Sequence, residues 1–194
     1  MSHGLRLAAV ALALSCLLAG CTDPPDKEIN QAKGAIAAAR AAGADQYARD
    51  EYEAAVAALG RSEDAVAQRD YRQALNYALD SRERAQNAAR RGADQKALAR
   101  SEAERGAHDL QTAIIEVRTR LKAADSARPR RRDLEQPRLV IDDATAVLND
   151  AREALERGEY RETSQRTTTA TAQVREAIRQ IDAVLSAAQG RKKR

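Results

Sequence analysis

The sequence predicts an all-α protein, an Ala-rich elongated helical bundle of about five helices in two hairpin-like units joined by a long third helix. Helix-forming residues dominate the 194-residue chain, which contains 44 alanines, and apolar residues recur at helical spacing in successive stretches. With nine Gly, four Pro and few β-branched runs, the composition excludes a β-sandwich or barrel. The chain has no Phe and no Trp, so it has few of the large side chains that would fill a wide core.

Residues 1–20 have the pattern of a signal peptide. A single positive charge, Arg6, precedes the uninterrupted apolar or small-residue stretch Leu7–Leu18, which has the length of a signal h-region and is too short to span a bilayer. The stretch ends in Leu18, Ala19, Gly20 and Cys21, and this order resembles a bacterial lipobox. The resemblance implies cleavage before Cys21 and acylation of that residue, which would anchor the chain in a membrane.

Two other interpretations of this segment remain open. One is an ordinary secretory signal with a chance cysteine. The other is a lipobox at Ala13-Leu14-Ser15-Cys16, which is weaker because it begins with Ala and leaves Leu17 and Leu18 outside.

The residues after Cys21 suggest a location and a tether. In lipoproteins of enteric type, Asp in the next position retains the protein in the inner membrane, so Thr22 points by analogy to the periplasmic face of the outer membrane. Residues 21–28, which include Pro24-Pro25, are predicted to tether the lipid to the fold. No second thiol would remain in the mature chain, so we expect no internal disulfide.

An N-terminal helical unit is predicted over residues 29–125. A first helix runs from Ile29 to Ala42, and Gly43 stops it in a left-handed conformation. A second helix is capped by Asp50, with Glu53 completing an Asp variant of the capping box. Asp70 caps the third helix.

The third helix can be very long, because no proline lies between Pro25 and Pro129. Its stretch 82–109 is almost entirely Ala and charge, so we expect it to bridge solvent with few tertiary contacts. A heptad seam typical of a coiled coil then follows, made of Leu110, Ile114, Val117, Leu121 and Ala124. A turn at Gly92 is the alternative, because residues 92–95 repeat the sequence of residues 43–46.

A C-terminal helical hairpin is predicted over residues 134–188, after a basic loop and before a basic tail at 189–194. Pro137 suits the first turn of its first helix, Gly158 ends that helix, and Tyr160 begins the next. The Ser/Thr-rich stretch Thr163–Thr171 is expected to be exposed, with a polar seam between helices as the alternative.

Two stretches of the chain match at an offset of 89 residues. Residues 65–73 align with residues 154–162, and each contains the end of an Ala/Leu helix, a turn, an acidic cap and a Tyr that opens the next helix. We therefore expect Tyr71 and Tyr160 to occupy equivalent places in two related hairpins, each ring packing on the preceding helix.

The segment Gly43–Ala48, followed by Glu51-Tyr52, an Ala/Leu helix and Asp70-Tyr71, resembles the bacterial lipoprotein family known as domain of unknown function 4398. The likeness covers residues 29–103, and the chain departs from the family pattern at Arg49, where Pro is usual. The resemblance implies a helical, envelope-associated protein and supplies no catalytic residues. Some members carry a peptidoglycan-binding domain of OmpA type.

Composition also bears on function. Beyond residue 21 the only His or Cys is His108, so we expect no metal site, no cofactor and no His-based catalytic device. Removal of residues 1–20 would leave 32 basic and 29 acidic residues, interspersed and without interleaved aromatics, so we expect no nucleic-acid partner.

The favoured function is a non-catalytic structural or adaptor lipoprotein that binds another envelope protein or peptidoglycan. Two alternatives stay open, a carrier of an apolar or lipid ligand and, less favoured, a carboxylate-based wall hydrolase.

Overall fold

The computed structural model describes residues 23–126 and 130–192. Within them the chain is all-α, as the sequence predicts. The helices are α1 (Asp26–Ala41), the one-turn α2 (Ala44–Tyr47), α3 (Arg49–Ala67), α4 (Tyr71–Ser126), a 3-10 turn (Arg131–Leu134), α5 (Glu135–Arg157) and α6 (Tyr160–Lys192). The long third helix is confirmed: α4 runs through Gly92 without a break.

Two compact units divide the chain, the first up to Gln95 and the second from Lys96. The division falls inside α4, so this one helix contributes its first part to unit 1 and its second part to unit 2.

Unit 1 is a three-helix arrangement of α1, α3 and residues 71–95. Its core is made mainly of alanines, together with the buried Tyr47 and Tyr52. Two buried serines join α3 to α4: Ser62 Oγ donates to the Ala74 carbonyl at 2.7 Å, and Ser81 Oγ donates to the Ala55 carbonyl at 2.8 Å. Small side chains on facing helices let the backbones approach closely enough for these bonds.

Unit 2 is built in the same way from residues 96–126, α5 and α6, but it has larger apolar side chains. Leu110, Val117, Val174 and Ile181 are fully buried in its core. The predicted heptad seam therefore faces this core, with Leu121 partly buried against it.

The stretch expected to bridge solvent packs along one face of α4, so that prediction is wrong. Ala85, Ala88 and Ala103 are fully buried, and only residues 93–98 are exposed without interruption. A Cβ on Gly92 would lie 2.8 Å from the Ala44 Cα, which shows how closely α4 approaches α2. Alanine and glycine suffice to fill an interface at this separation, although they leave no conspicuous apolar stripe in the sequence.

Several predicted caps are confirmed and one is wrong. Gly43 and Gly158 adopt left-handed conformations, with φ of 85° and 79°, and Asp70 Oδ1 accepts a hydrogen bond from the Gln73 N–H at 3.0 Å. Asp50 does not cap α3. That helix begins at Arg49, and its N-cap residue, Ala48, has no side-chain capping bond.

The two hairpin turns have the same hydrogen-bond geometry at the 89-residue offset. The Asp70 N–H donates to the Ala65 carbonyl at 2.9 Å. The Glu159 N–H donates to the Ala154 carbonyl at 3.0 Å. Both are the long bond of a Schellman motif, and in each turn the residue before the acidic one has a positive φ.

The inward faces of the two hairpins also correspond residue by residue. In the unit 1 part of α4 the buried positions are Ala74, Ala78, Ser81, Ala85, Ala88 and Gly92. The α6 positions 89 residues later are all buried too, namely Thr163, Thr167, Ala170, Val174, Ala177 and Ile181, and α6 buries Thr171 and Ile178 in addition. Shared turns and a shared buried register support an internal duplication of the helical unit.

The Ser/Thr-rich stretch of α6 is not simply exposed. Thr163, Thr167 and Thr171 are buried, and each Oγ1 donates to the carbonyl four residues earlier in the chain. Gly106 of α4 faces this seam, where an added Cβ would lie 2.4 Å from Thr167 Oγ1. The polar side chains are satisfied within the helix, so they can line a close helix contact.

Candidate functional site

The predicted lipidation site, Cys21, and its lipobox residues Leu18, Ala19 and Gly20 lie outside the described residues. The chain is described from Asp23 onward, and it enters α1 at once. The Ile29 N–H donates to the Pro25 carbonyl at 3.0 Å, which is the first bond of the helical ladder. Four residues therefore separate Cys21 from the start of α1 at Asp26.

The start of α1 lies at the same end of unit 1 as the α3–α4 turn, residues 68–72. Lys33 Nζ of α1 is 2.8 Å from Glu63 Oε1 of α3. Lys33 lies seven residues after Asp26, where α1 begins, and Glu63 lies seven residues before Asp70, in the turn that follows α3. Because the two helices are antiparallel, this pair places the start of α1 and the end of α3 at the same end of unit 1.

The register between α1 and α4 agrees with this placement. Arg82 Nη1 donates to Gln31 Oε1 at 2.6 Å. Gln31 lies five residues after the first residue of α1, and Arg82 lies eleven residues after the first residue of α4. The helices are parallel, so the beginning of α4 extends about 9 Å beyond the beginning of α1, at 1.5 Å per residue. The α3–α4 turn therefore extends from unit 1 toward the side at which the chain to Cys21 emerges.

A groove lies between α1 and α4 of unit 1. It is open to solvent and has a volume of about 450 Å³. Its floor is alanine and its rim is polar, and the lining residues are Gln31, Ala35, Ala38, Arg82, Gln86 and Ala89. Two amides and one guanidinium on the rim can donate hydrogen bonds to carbonyl or carboxylate groups of a bound chain.

The shifted titrations of the described residues belong to surface ion pairs. Arg157 Nε lies 2.9 Å from Glu159 Oε1, and this hydrogen bond lowers the pKa of the Glu159 carboxyl below its ordinary value. A hydrogen bond from Arg179 lowers the pKa of Glu176 in the same way. The part of the chain that the structure describes contains no cluster of His, Cys, Asp and Glu able to hold a metal ion.

None of the helices within residues 23–126 and 130–192 is long and apolar enough to cross a membrane.

Comparison with known proteins gives no match to a family model, to a curated protein or to a solved structure.

Sequence reasoning did not single out the features of the α3–α4 turn. Arg69 has a φ of 60°, which is the left-handed region, and it is the one non-glycine residue with a positive φ among those described. The signal that could have found it is the 89-residue alignment, which places Arg69 opposite Gly158.

Proposed function

We propose that the protein is an envelope lipoprotein, anchored by acylated Cys21 at the periplasmic face of the outer membrane, with a non-catalytic adaptor role. Its helical units bind another envelope protein or the cell wall. The resemblance to the family of domain of unknown function 4398 belongs to this proposal and points the same way.

One observation carries the proposal, the lipobox-like order of Leu18, Ala19, Gly20 and Cys21 immediately before a short tether. Pro24 and Pro25 stiffen that tether, and α1 begins directly after them. A signal of this kind, followed within four residues by a packed helical unit, suits a protein held close to a lipid surface.

The groove of unit 1 supports the adaptor role. An alanine floor gives an apolar strip onto which an extended chain can settle, and Gln31, Arg82 and Gln86 provide donors for its polar groups. Such a surface suits a peptide segment, whether it belongs to a partner protein or to the stem peptides of the wall.

Site-specific photo-crosslinking in intact cells tests this function. A crosslinking amino acid replaces Gln86 in the groove, and the matched control carries it at Ala57, which is exposed on α3 outside the groove. We expect one envelope protein or peptidoglycan fragments to be captured from position 86 and not from position 57, and capture to be lost in Cys21→Ser. Equal capture from both positions, or capture that is unchanged in Cys21→Ser, would contradict the proposal.

A further inference from the structure

Four cationic side chains of unit 1 have no ion-pair, hydrogen-bond or ring partner within residues 23–95: Lys27, Arg49, Arg69 and Arg72. Three of the four lie at one end of the unit. Lys27 is in the first turn of α1, and Arg69 and Arg72 flank the start of α4 in the α3–α4 turn. The fourth, Arg49, begins α3 at the opposite end.

Arg69 holds a backbone conformation that its side chain makes unfavourable. The left-handed region is unfavourable for a non-glycine L-residue, and the equivalent turn of unit 2 avoids this strain with Gly158. The same turn geometry therefore forms with glycine in unit 2. An arginine here, exposed and unpaired within the described chain, indicates a role for its charge outside the fold.

The length of the tether limits how far this end can lie from an anchored lipid. Five residue steps join Cys21 to Asp26, and at 3.3–3.6 Å per residue they span at most about 18 Å. The α3–α4 turn extends toward the same side by about 9 Å beyond the start of α1. An acylated Cys21 thus brings Arg69 and Arg72 within reach of the headgroup layer.

From this geometry we infer that the α3–α4 turn of unit 1 rests on the membrane surface, with Lys27, Arg69 and Arg72 contacting the phosphates of lipid headgroups. The inference rests on the proposed acylation of Cys21. Arginine suits the contact because its guanidinium presents a planar set of donors to phosphate oxygens.

Acidic groups also lie at this end, among them Asp23 before α1, but none of those described is paired with Arg69 or Arg72. Asp70 uses Oδ1 as the cap of α4, and the carboxylates of Asp26 and Glu28 lie in the first turn of α1, where they favour the positive end of the helix dipole. The proposed contact therefore depends on the positions of the Arg69 and Arg72 guanidinium groups and does not require a net positive charge at this end of unit 1.

Energy transfer to the membrane tests the orientation. The acylated mature chain is placed in vesicles of phosphatidylethanolamine and phosphatidylglycerol that contain an acceptor lipid. A donor dye is attached to a cysteine introduced by Gln68→Cys in the turn or, as the control, by Arg49→Cys. Both sites are exposed, and α3 separates them by about 28 Å. We expect at least twofold higher transfer from position 68, and equal or lower transfer from position 68 would overturn the inference.

Charge variants test the phosphate contact. Arg69→Gly copies the unit 2 turn and relieves its backbone strain, so folding is preserved while the charge is lost. Near an anionic surface each basic residue contributes about 1 kcal/mol, which corresponds to about a fivefold change in an equilibrium ratio. Each lost arginine should therefore lower the ratio of turns in contact with the membrane to turns free of it about fivefold. Arg69→Gly with Arg72→Gln should therefore reduce transfer from position 68, and Arg49→Gln should not. An unchanged ratio in the double variant would overturn the contact.

The mass of the mature N-terminus separates the two proposals. If Cys21 is acylated and the donor dyes at positions 68 and 49 give equal energy transfer, the inference about the turn fails and the proposed anchor stands. If the mass shows no acyl chains, the proposed anchor fails and the inference falls with it.

Discussion

Gly92 has no side chain, and this allows α4 to pack closely against α2 in unit 1. It lies inside α4, where glycine lowers helix stability, yet a Cβ there would lie 2.8 Å from Ala44 Cα and 2.9 Å from Ala44 N. The backbone of α2 cannot yield as the end of a flexible side chain would. Gly60, by contrast, has no atom within 4 Å of such a Cβ.

These surroundings predict opposite effects for the same substitution. Gly92→Ala should destabilise unit 1 by about 1–3 kcal/mol through overpacking. Gly60→Ala, in the same unit, should stabilise it by about 1 kcal/mol through helix propensity. Urea unfolding followed by circular dichroism measures both, and a stabilising Gly92→Ala would contradict the close approach of α2 and α4.

The Arg157–Glu159 pair predicts a pH effect at the turn of unit 2. Because the hydrogen bond from Arg157 lowers the pKa of Glu159 in the folded state, its stabilising effect is fully present above the unfolded pKa. That effect is lost as the pH falls through the folded pKa. NMR titration of the Glu159 carboxyl should give a midpoint below that of an ordinary Glu, and Arg157→Gln should return it to the ordinary range. An identical midpoint in the variant would exclude the pair as the cause.

At the scale of elements, the sequence predicts the helices better than their contacts. The αL glycines at 43 and 158, the cap at Asp70 and the long α4 follow from local chemistry, since each depends on residues within a few positions. The burial of Ala85, Ala88 and Ala103 does not. In the sequence, an alanine on a charged helix that faces solvent cannot be distinguished from one that faces a neighbouring backbone. The distance between the helices determines whether that alanine is buried.

The candidate site divides in the same way. Cys21 and its lipobox are a contiguous sequence signal, so they can be predicted without a structure. The grouping of Lys27, Arg69 and Arg72 at one end of unit 1 depends on the register between α1, α3 and α4, which contacts such as Lys33–Glu63 and Arg82–Gln31 reveal. No local pattern in the sequence brings these three residues together.

The serine bonds between α3 and α4 should contribute little stability. Unit 2 has Ala151 and Ala170 where unit 1 has Ser62 and Ser81, so the hairpin packs well without the hydroxyls. Ser81→Ala should therefore cost about 1 kcal/mol or less, because the Ala55 carbonyl also belongs to the α3 ladder. A loss of several kcal/mol in thermal unfolding would show that the two hairpins are not equivalent.

At the scale of the whole molecule, the two units differ in the side chains that fill their cores. Unit 1 buries mainly alanine, whereas unit 2 buries Leu110, Val117, Val174 and Ile181. Larger apolar side chains bury more area, and burial stabilises by about 25 cal/mol per Å². Unit 2 should be the more stable of the two.

Unfolding should therefore take place in two steps. In urea we expect Gly92→Ala to move only the first transition and Leu110→Ala, which should cost about 2–5 kcal/mol, to move only the second. Circular dichroism combined with hydrogen exchange would assign each step to its residues. One cooperative transition that both variants shift equally would contradict independent cores.

The most direct test of the central claim, that Cys21 carries the lipid anchor, is incorporation of labelled palmitate in cells, followed by membrane fractionation. Wild type should incorporate the label and sediment with the outer membrane. The matched variant Cys16→Ser should behave identically, whereas Cys21→Ser should lose the label and either leave the membrane fraction or accumulate as unprocessed precursor. An unlabelled wild type, or a Cys21→Ser chain that still incorporates palmitate, would contradict the account.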